Sequence, residues 1–432
     1  MSHISRVSTW LVYISIILFG LSSWIVVNGV YSQLPLFVKK LPEKWAIASQ
    51  MSVALQLSNV FPIIHLVITT AFISSANRIH FDTVSIYIIC VVGIISTIFL
   101  GLFWDRTVYT NNSEHSLWFL FFVFLSGAVD CTTSVVYFAF ISNYRYLFSS
   151  ALTIGEGLTG GVVGVLSLIQ QPGSNKPLFN VLVFCIVLSA ITFVSLCAFT
   201  FLRFSTFGKS QLRSHQCEDY ESSLIQHKDL NINQPITSHK WKLTWTYRLV
   251  LTQSLISFFD NAVINSILPY VFKKNPRGDI LMQYAISIGQ ILDPVFCLLA
   301  YVVPVHRQVE NLFVSLLHLT WVSICTFLTV MAMPWAPYKR DLTMGIILTV
   351  LKITSKCIIS YCKTKEFLMC HQKLEAIDKR RSQEELTKES RAGNIILCGF
   401  EMGTFRLAGL GIQLSALVGS LIMLALTTMG AF

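Results

Sequence analysis

Apolar runs long enough to cross a bilayer alternate with short polar segments along almost the whole chain. A helix rises 1.5 Å per residue, so about 20 apolar residues cover the ~30 Å hydrocarbon core. Such runs lie at 10–30, 47–73, 83–103, 116–139, 147–169, 179–202, 247–271, 281–304, 311–333, 343–361 and 405–429. The pattern predicts an all-α, polytopic membrane protein with about eleven transmembrane helices. The piece 392–404 is shorter and interrupted by Glu401; it extends the last helix or lies at the interface. The first run follows Arg6, exceeds the apolar part of a signal peptide and has no small-residue cleavage site after it. It is expected to be a retained spanning helix.

Composition sharpens this reading. The 432 residues are 53% apolar and only 12% charged, against about 25% charged in a soluble domain. A mean hydropathy of +0.62 excludes an ordinary soluble domain and a disordered chain. The net charge of +10 invites a nucleic-acid reading, but the Lys and Arg residues sit in short segments between apolar runs, where they orient the chain in the bilayer. No nucleic-acid partner is expected.

The basic residues set a topology. Segment 203–246 carries Arg203, Lys209, Arg213, Lys228, Lys240 and Lys242, and segment 362–391 carries eight more from Lys363 to Arg391. Both are cytoplasmic if the N-terminus is cytoplasmic, which places the C-terminus outside. Lys39, Lys40, Lys44, Lys273, Lys274 and Arg277 go against the rule. Asn111-Asn112-Ser113 is the only N-x-[ST] sequon, and this topology puts it outside as a glycosylation candidate. No predicted outer loop contains Cys, so no extracellular disulfide is expected. The organisation is then a six-helix bundle over 1–202, a mixed-charge cytoplasmic loop over 203–246 and a five-helix bundle over 247–432. Within the last, the charged segment 362–391 has surface-helix spacings.

Polar groups inside the spans are costly and therefore informative. They are Trp24 and Asn28 (four apart, on one helix face), Gln56, Asn59 and His65, Asp130 with Thr132 and Ser134, Glu156, Asp260, Asn261 and Asn265, Gln283, Gln290 and Asp293, and Gln413. Any one of them could bond helix to helix. Their spread over both bundles points instead to a central, partly wet cavity, in which Glu156 is a candidate for proton coupling. Gly155–Gly160 matches G-x-G-x-x-G, but its flanks are membrane helix rather than a strand, so a dinucleotide site is rejected. Gly157, Gly160, Gly161 and Gly164 suit close helix packing. No Walker A loop, H-E-x-x-H or G-x-S-x-G occurs, and the ten His are scattered. No enzyme activity, metal or cofactor is expected.

Several of these stretches resemble the eukaryotic riboflavin transporters. They are Ser23-Trp24-Ile25-Val26-Val27-Asn28-Gly29, Leu34-Pro35-Leu36, Leu41-Pro42-Glu43-Lys44-Trp45, Gln56-Leu57-Ser58-Asn59, the run Val129–Val135 and the run Gly155–Gly160. Asn265–Pro269, Ser360–Lys363 and Gly409–Gln413 support the resemblance in the second half. It implies a sodium-independent plasma-membrane carrier of riboflavin, with major-facilitator-like six- and five-helix bundles around a central site. The chain departs from the family pattern at Asp293, where Asn usually precedes the Pro, at Ala139, at Lys273–Pro276 and over 369–405.

Riboflavin is neutral, with a flat ring, an imide edge and a polyhydroxyl chain. A flat ring suits Trp24 or Tyr361; an imide suits Asn28, Gln56 or Gln413; the hydroxyls suit Asp130, Thr132, Ser134 and Asn59. Glu156 joins Asp130 as a group for coupling or for shaping the site. Transport by alternating access is the expected function. A carrier of another flat heterocycle such as a nucleoside, or a receptor that moves nothing, stays open, as does the oligomeric state.

Overall fold

A computed structural model describes residues 3–74, 77–110, 112–141, 144, 147–211, 236–273, 275–302, 310–336, 341–385 and 411–432. Ten of its described helices are long and apolar enough to cross a membrane, and counting one bent pair as a single span makes eleven. The chain is a helical, multi-pass membrane protein.

The first apolar run does not form one rod. Helix α1 (His3–Gly20) and helix α2 (Ile25–Ser32) meet at 46°, and between them Trp24 takes φ 60° and ψ 8°. A left-handed non-glycine residue costs about 1–2 kcal/mol, so the break is held by its surroundings. Ser195 Oγ lies 2.6 Å from the carbonyl of Phe19 and 2.7 Å from Ser22 Oγ, and Ser22 Oγ lies 2.9 Å from Tyr137 Oη. These hydroxyls occupy the polar atoms that the interrupted ladder exposes.

After α3 (Leu34–Lys40) come α4 (Ile47–Leu57) and α5 (Val60–Ala71), which share one span across a turn at Ser58–Asn59. Helix α6 (Arg78–Phe103) leads to a small antiparallel hairpin, β1 (Val108–Thr110) with β2 (Ser113–His115), an addition to the all-helical expectation. The sequon residue Asn111 lies outside the described residues. Glu43 then fixes the start of α7 (Leu117–Ile141), its carboxylate accepting from the backbone N–H of Ser116 at 2.6 Å and from its hydroxyl at 2.7 Å. Helices α8 (Leu147–Gln170), α9 (Val181–Phe204) and the short α10 (Thr206–Ser210) follow, α9 being capped by Asn180.

The second part begins with α11 (Ile236–Ser257), a π-helical turn (Phe258–Ile264) and α12 (Asn265–Phe272). It continues with α13 (Gly278–Val302), α14 (Glu310–Ala332), α15 (Leu342–Glu385) and α16 (Gly411–Thr428). The tenth apolar run, expected to stop at Tyr361, belongs to a 44-residue helix whose membrane-compatible part reaches Glu366. Lys363 and Lys365, in the expected cytoplasmic segment, continue that helix without a break. Most of the charged segment up to Glu385 is helical, and 386–391 lies outside the described residues.

The glycine run of α8 positions the site. A Cβ on Gly155 would sit 2.4 Å from the carbonyl of Ile17, and one on Gly164 would sit 2.6 Å from the carbonyl of Ser287. Gly157 and Gly160 face Pro294 and Gln290. Helix α8 is thus pressed against α1 on one side and α13 on the other, as small residues permit. Elsewhere the helices show apolar faces outward, such as Leu312, Leu316 and Leu319 on α14, as lipid contact requires.

Candidate functional site

The site is built on the broken first span. Trp24, Asn28 and Tyr31 stay half-exposed while Ile25, Val26, Val27, Gly29 and Val30 are buried. The spacing of three residues puts Asn28 and Tyr31 on one face of α2, with Trp24 at the break just before it. Trp24 Nε1 donates to Ser134 Oγ at 2.9 Å. Asn28 Nδ2 donates to Thr159 Oγ1 at 3.3 Å, and Gln290 Nε2 of α13 donates to the carbonyl of Asn28 at 3.0 Å. The Tyr31 hydroxyl meets Ser52 Oγ at 3.2 Å. One helix face is therefore touched by both the early and the late spans.

Asp130 lies behind this face and is fully buried. Its Oδ2 accepts from the N–H of Val27 at 2.8 Å. Helix α2 has no side-chain cap of its own, so Asp130 caps it from α7. Glu156 is half-buried, and its Oε1 accepts from Ser23 Oγ at 3.1 Å. Ser23 also meets Thr133 Oγ1 at 3.0 Å. Trp24, Asn28, Asp130, Ser134 and Glu156 thus surround a single break.

The other predicted residues are placed differently. Thr132 is buried and bonds to its own helix, donating to the carbonyl of Ala128 at 2.6 Å. Asn59 Nδ2 donates to Gln56 Oε1 at 2.9 Å beside the α4–α5 turn, and Asn59 Oδ1 is buried with no described partner. Tyr361 is buried against the edge of Phe313 with ring centroids 6.1 Å apart, and its hydroxyl has no described partner. Gln413 is half-buried on α16. Among the described residues no hydrogen bond links Tyr361 or Gln413 to the network around α2.

Sequence reasoning missed a second constellation. The π turn carries buried Asp260, and three ammonium groups of α15 converge on it: Lys363 at 3.4 Å, Lys356 at 3.6 Å and Lys352 at 3.9 Å. Lys356 also lies 3.7 Å from Asp293, whose carboxylate bonds to Ser360. Lys365 pairs with Glu310 at 3.2 Å, and Glu366 accepts from Thr252 and Gln253 at 2.9 Å each. Lys352 and Lys356 were overlooked because a lysine every fourth residue barely lowers the hydropathy of a spanning run. The available signal was chemical. Buried Asp260 needed a partner, and α15 carries lysines on one face.

The early and late spans meet most closely at one end. Lys39 Nζ lies 3.2 Å from Asp279 and donates to the carbonyl of Gly173 at 2.7 Å. Gln283 accepts from the Gly173 N–H at 2.9 Å, Ser287 meets Ser167 at 2.9 Å, and Ser49 meets Thr427 at 3.0 Å. Among the described residues no group of three His, Cys, Asp or Glu side chains could hold a metal ion.

With this geometry in view, comparison with known proteins is informative. The sequence model of the family described as solute carrier family 52, riboflavin transporter, matches residues 8–376. Riboflavin transporter member 3-A of Danio rerio is 26% identical over 396 residues, covering 80% of this chain and 85% of its own length. Member 1 of Homo sapiens is 26% identical over 400 residues, covering 84% and 87%. Among solved structures, a mutant of the nucleoside transporter NupG aligns over 98% of each chain at a TM-score of 0.46 and 14% identity.

Proposed function

The chain belongs to the riboflavin transporters of solute carrier family 52, and from that premise we propose that it carries riboflavin into cells across the plasma membrane by alternating access, without sodium. The observation that carries the proposal is the family match over 8–376 together with the half-exposed face of α2, which both groups of spans touch. Trp24 offers an indole edge and face to a flat ring, Asn28 an amide for an imide edge, and Tyr31 a hydroxyl partner. Ser134 and Gln290 border the same face. Glu156 and Asp130 shape it from behind, and Gln56, Asn59, Thr132, Tyr361 and Gln413 complete the proposed set.

The Lys and Arg bias supports a cytoplasmic N-terminus and an extracellular C-terminus. The contacts of Lys39 with Asp279 and Gly173 are then extracellular, and this conformation is closed on that side. We read the spans before Ser205 and after Thr246 as two bundles of six and five helices. Their rocking parts Lys39 from Asp279 and moves the ligand across, and Asn111 carries a glycan outside.

Uptake of labelled riboflavin in cells displaying the chain tests this. The expected result is saturable uptake, suppressed by unlabelled riboflavin, poorly by nucleosides, and unchanged when choline replaces sodium. Surface-expressed protein with no uptake above an empty-vector control would overturn it.

A further inference from the structure

A second cavity lies away from the α2 face, where the spans of α11, α14 and α15 end together. Its volume is about 470 Å³, and Arg248, Thr252, Asn311, Ser315, His318 and Glu366 line it. Leu312 completes the lining and is 61% exposed, so the cavity opens on the outward face of α14. Tyr247 and Glu310 open their spans, and Glu366 closes its own. On the topology proposed above this end is cytoplasmic, and the cavity sits at the depth of the inner-leaflet headgroups. Leu251 and Leu255 of α11 and Leu316 and Leu319 of α14 are exposed, and they continue the apolar outer surface toward the bilayer centre.

The lining has acceptors in want of a donor. His318 Nδ1 lies 2.9 Å from the carbonyl of Val314, and a carbonyl only accepts, so Nδ1 carries a proton and donates it. In the neutral ring Nε2 is then an acceptor. It faces Glu366 Oε1 at 3.7 Å, a second acceptor. The hydrogen bonds that Glu366 takes from Thr252 and Gln253 both fall on Oε2. His318 Nε2 and Asn311 Oδ1 are buried, with no hydrogen-bond partner among the described residues. Two facing acceptors repel unless a donor comes between them. A primary ammonium brings three N–H donors and the charge that Glu366 calls for. Half-buried Arg248 gives the same cavity a cationic wall, suited to a phosphate. A carboxylate, a guanidinium and leucine flanks at headgroup depth match one molecule with an amine, a phosphate and acyl chains.

We propose that this cavity binds the headgroup of an inner-leaflet aminophospholipid of the phosphatidylethanolamine type. Its ammonium donates to Glu366 Oε1 and His318 Nε2, its phosphate meets Arg248, and its chains lie along the leucines of α11 and α14. The site is independent of which solute the chain carries.

The test is thermal unfolding of the purified full chain in detergent doped with dioleoyl phosphatidylethanolamine, phosphatidylcholine or phosphatidylglycerol. The acyl chains are identical, so only the headgroups differ. Phosphatidylethanolamine is expected to raise the melting temperature about 2–5 °C more than either of the others, since the choline nitrogen has no N–H and glycerol has no cation. Glu366→Gln should erase that preference, and Arg248→Gln should weaken stabilisation by all three lipids. Native mass spectrometry of the unaltered chain in an equimolar lipid mixture gives a reading that no variant's folding can obscure: phosphatidylethanolamine should be the lipid retained. Equal stabilisation and retention of the three lipids would overturn the proposal, because a doubly protonated His318 paired with Glu366 needs no ammonium. An unchanged preference in a folded Glu366→Gln protein would overturn it as well.

Discussion

Replacing Asp130 separates a residue that builds the site from one that touches ligand. Its carboxylate is fully buried and accepts the N–H of Val27 at the start of α2. Asp130→Ala strands that donor where water cannot reach it. Each buried unsatisfied donor costs about 1–3 kcal/mol, and the loss of a helix cap alone costs about 0.5–2 kcal/mol. Against a typical total stability of about 5–15 kcal/mol this is a large fraction. The substitution should therefore lower both the melting temperature of the purified protein and its amount at the cell surface. Asp130→Asn keeps a carbonyl oxygen in place and loses only the charge-assisted part of the bond, about 1 kcal/mol. It should stay close to wild type in both measures and retain uptake per surface molecule. Melting curves and surface-normalised uptake for the two variants provide the check. If Asp130→Ala melts like the wild type, or if Asp130→Asn loses uptake while folding normally, the capping argument is refuted.

Other outcomes follow from the same structure. Gly164→Val should reduce folded protein sharply, because even a Cβ would lie 2.6 Å from the carbonyl of Ser287; wild-type yield would refute the close α8–α13 contact. Lys39→Ala removes a half-exposed ion pair to Asp279 worth under about 1 kcal/mol, while its bond to the Gly173 carbonyl lies within the early spans, so the closed state should lose up to about fivefold in population. The readout is faster labelling of Ser167→Cys by an impermeant thiol reagent, and an unchanged rate would contradict it. Asp260→Ala leaves three lysines without their shared carboxylate and should abolish stable folding. Trp24→Phe deletes the bond to Ser134 but keeps a flat ring, and it should raise the KM for riboflavin by less than Trp24→Ala does.

How much the sequence disclosed depends on the physics of each feature. The spans were legible because a bilayer demands length and apolarity, and both can be counted. The α8 glycines were legible as points of close backbone approach because their flanks are membrane helix and a strand–turn–helix context is missing. The break at Trp24 was not legible. Gly20-Leu21-Ser22-Ser23-Trp24 contains no proline, and the partners that hold it, Tyr137, Ser195 and Asp130, are contributed by helices more than a hundred residues away. The role of Asp130 was hidden for the same reason: a buried acid reads as ligand or coupling group until the N–H it caps is seen. The π turn at Asp260 adds a backbone irregularity without a residue signature. The lysines of α15 were hidden by averaging, since hydropathy over a window cannot distinguish a snorkelling lysine from one turned inward to a carboxylate.

The most direct measurement is counterflow in proteoliposomes containing only the purified chain. Vesicles loaded with unlabelled riboflavin and diluted into a trace of labelled riboflavin should accumulate label transiently, with no sodium gradient, and the same vesicles carrying Asn28→Ala should accumulate it more slowly. Flat traces from folded wild-type protein, equal to those of empty liposomes, would contradict the account.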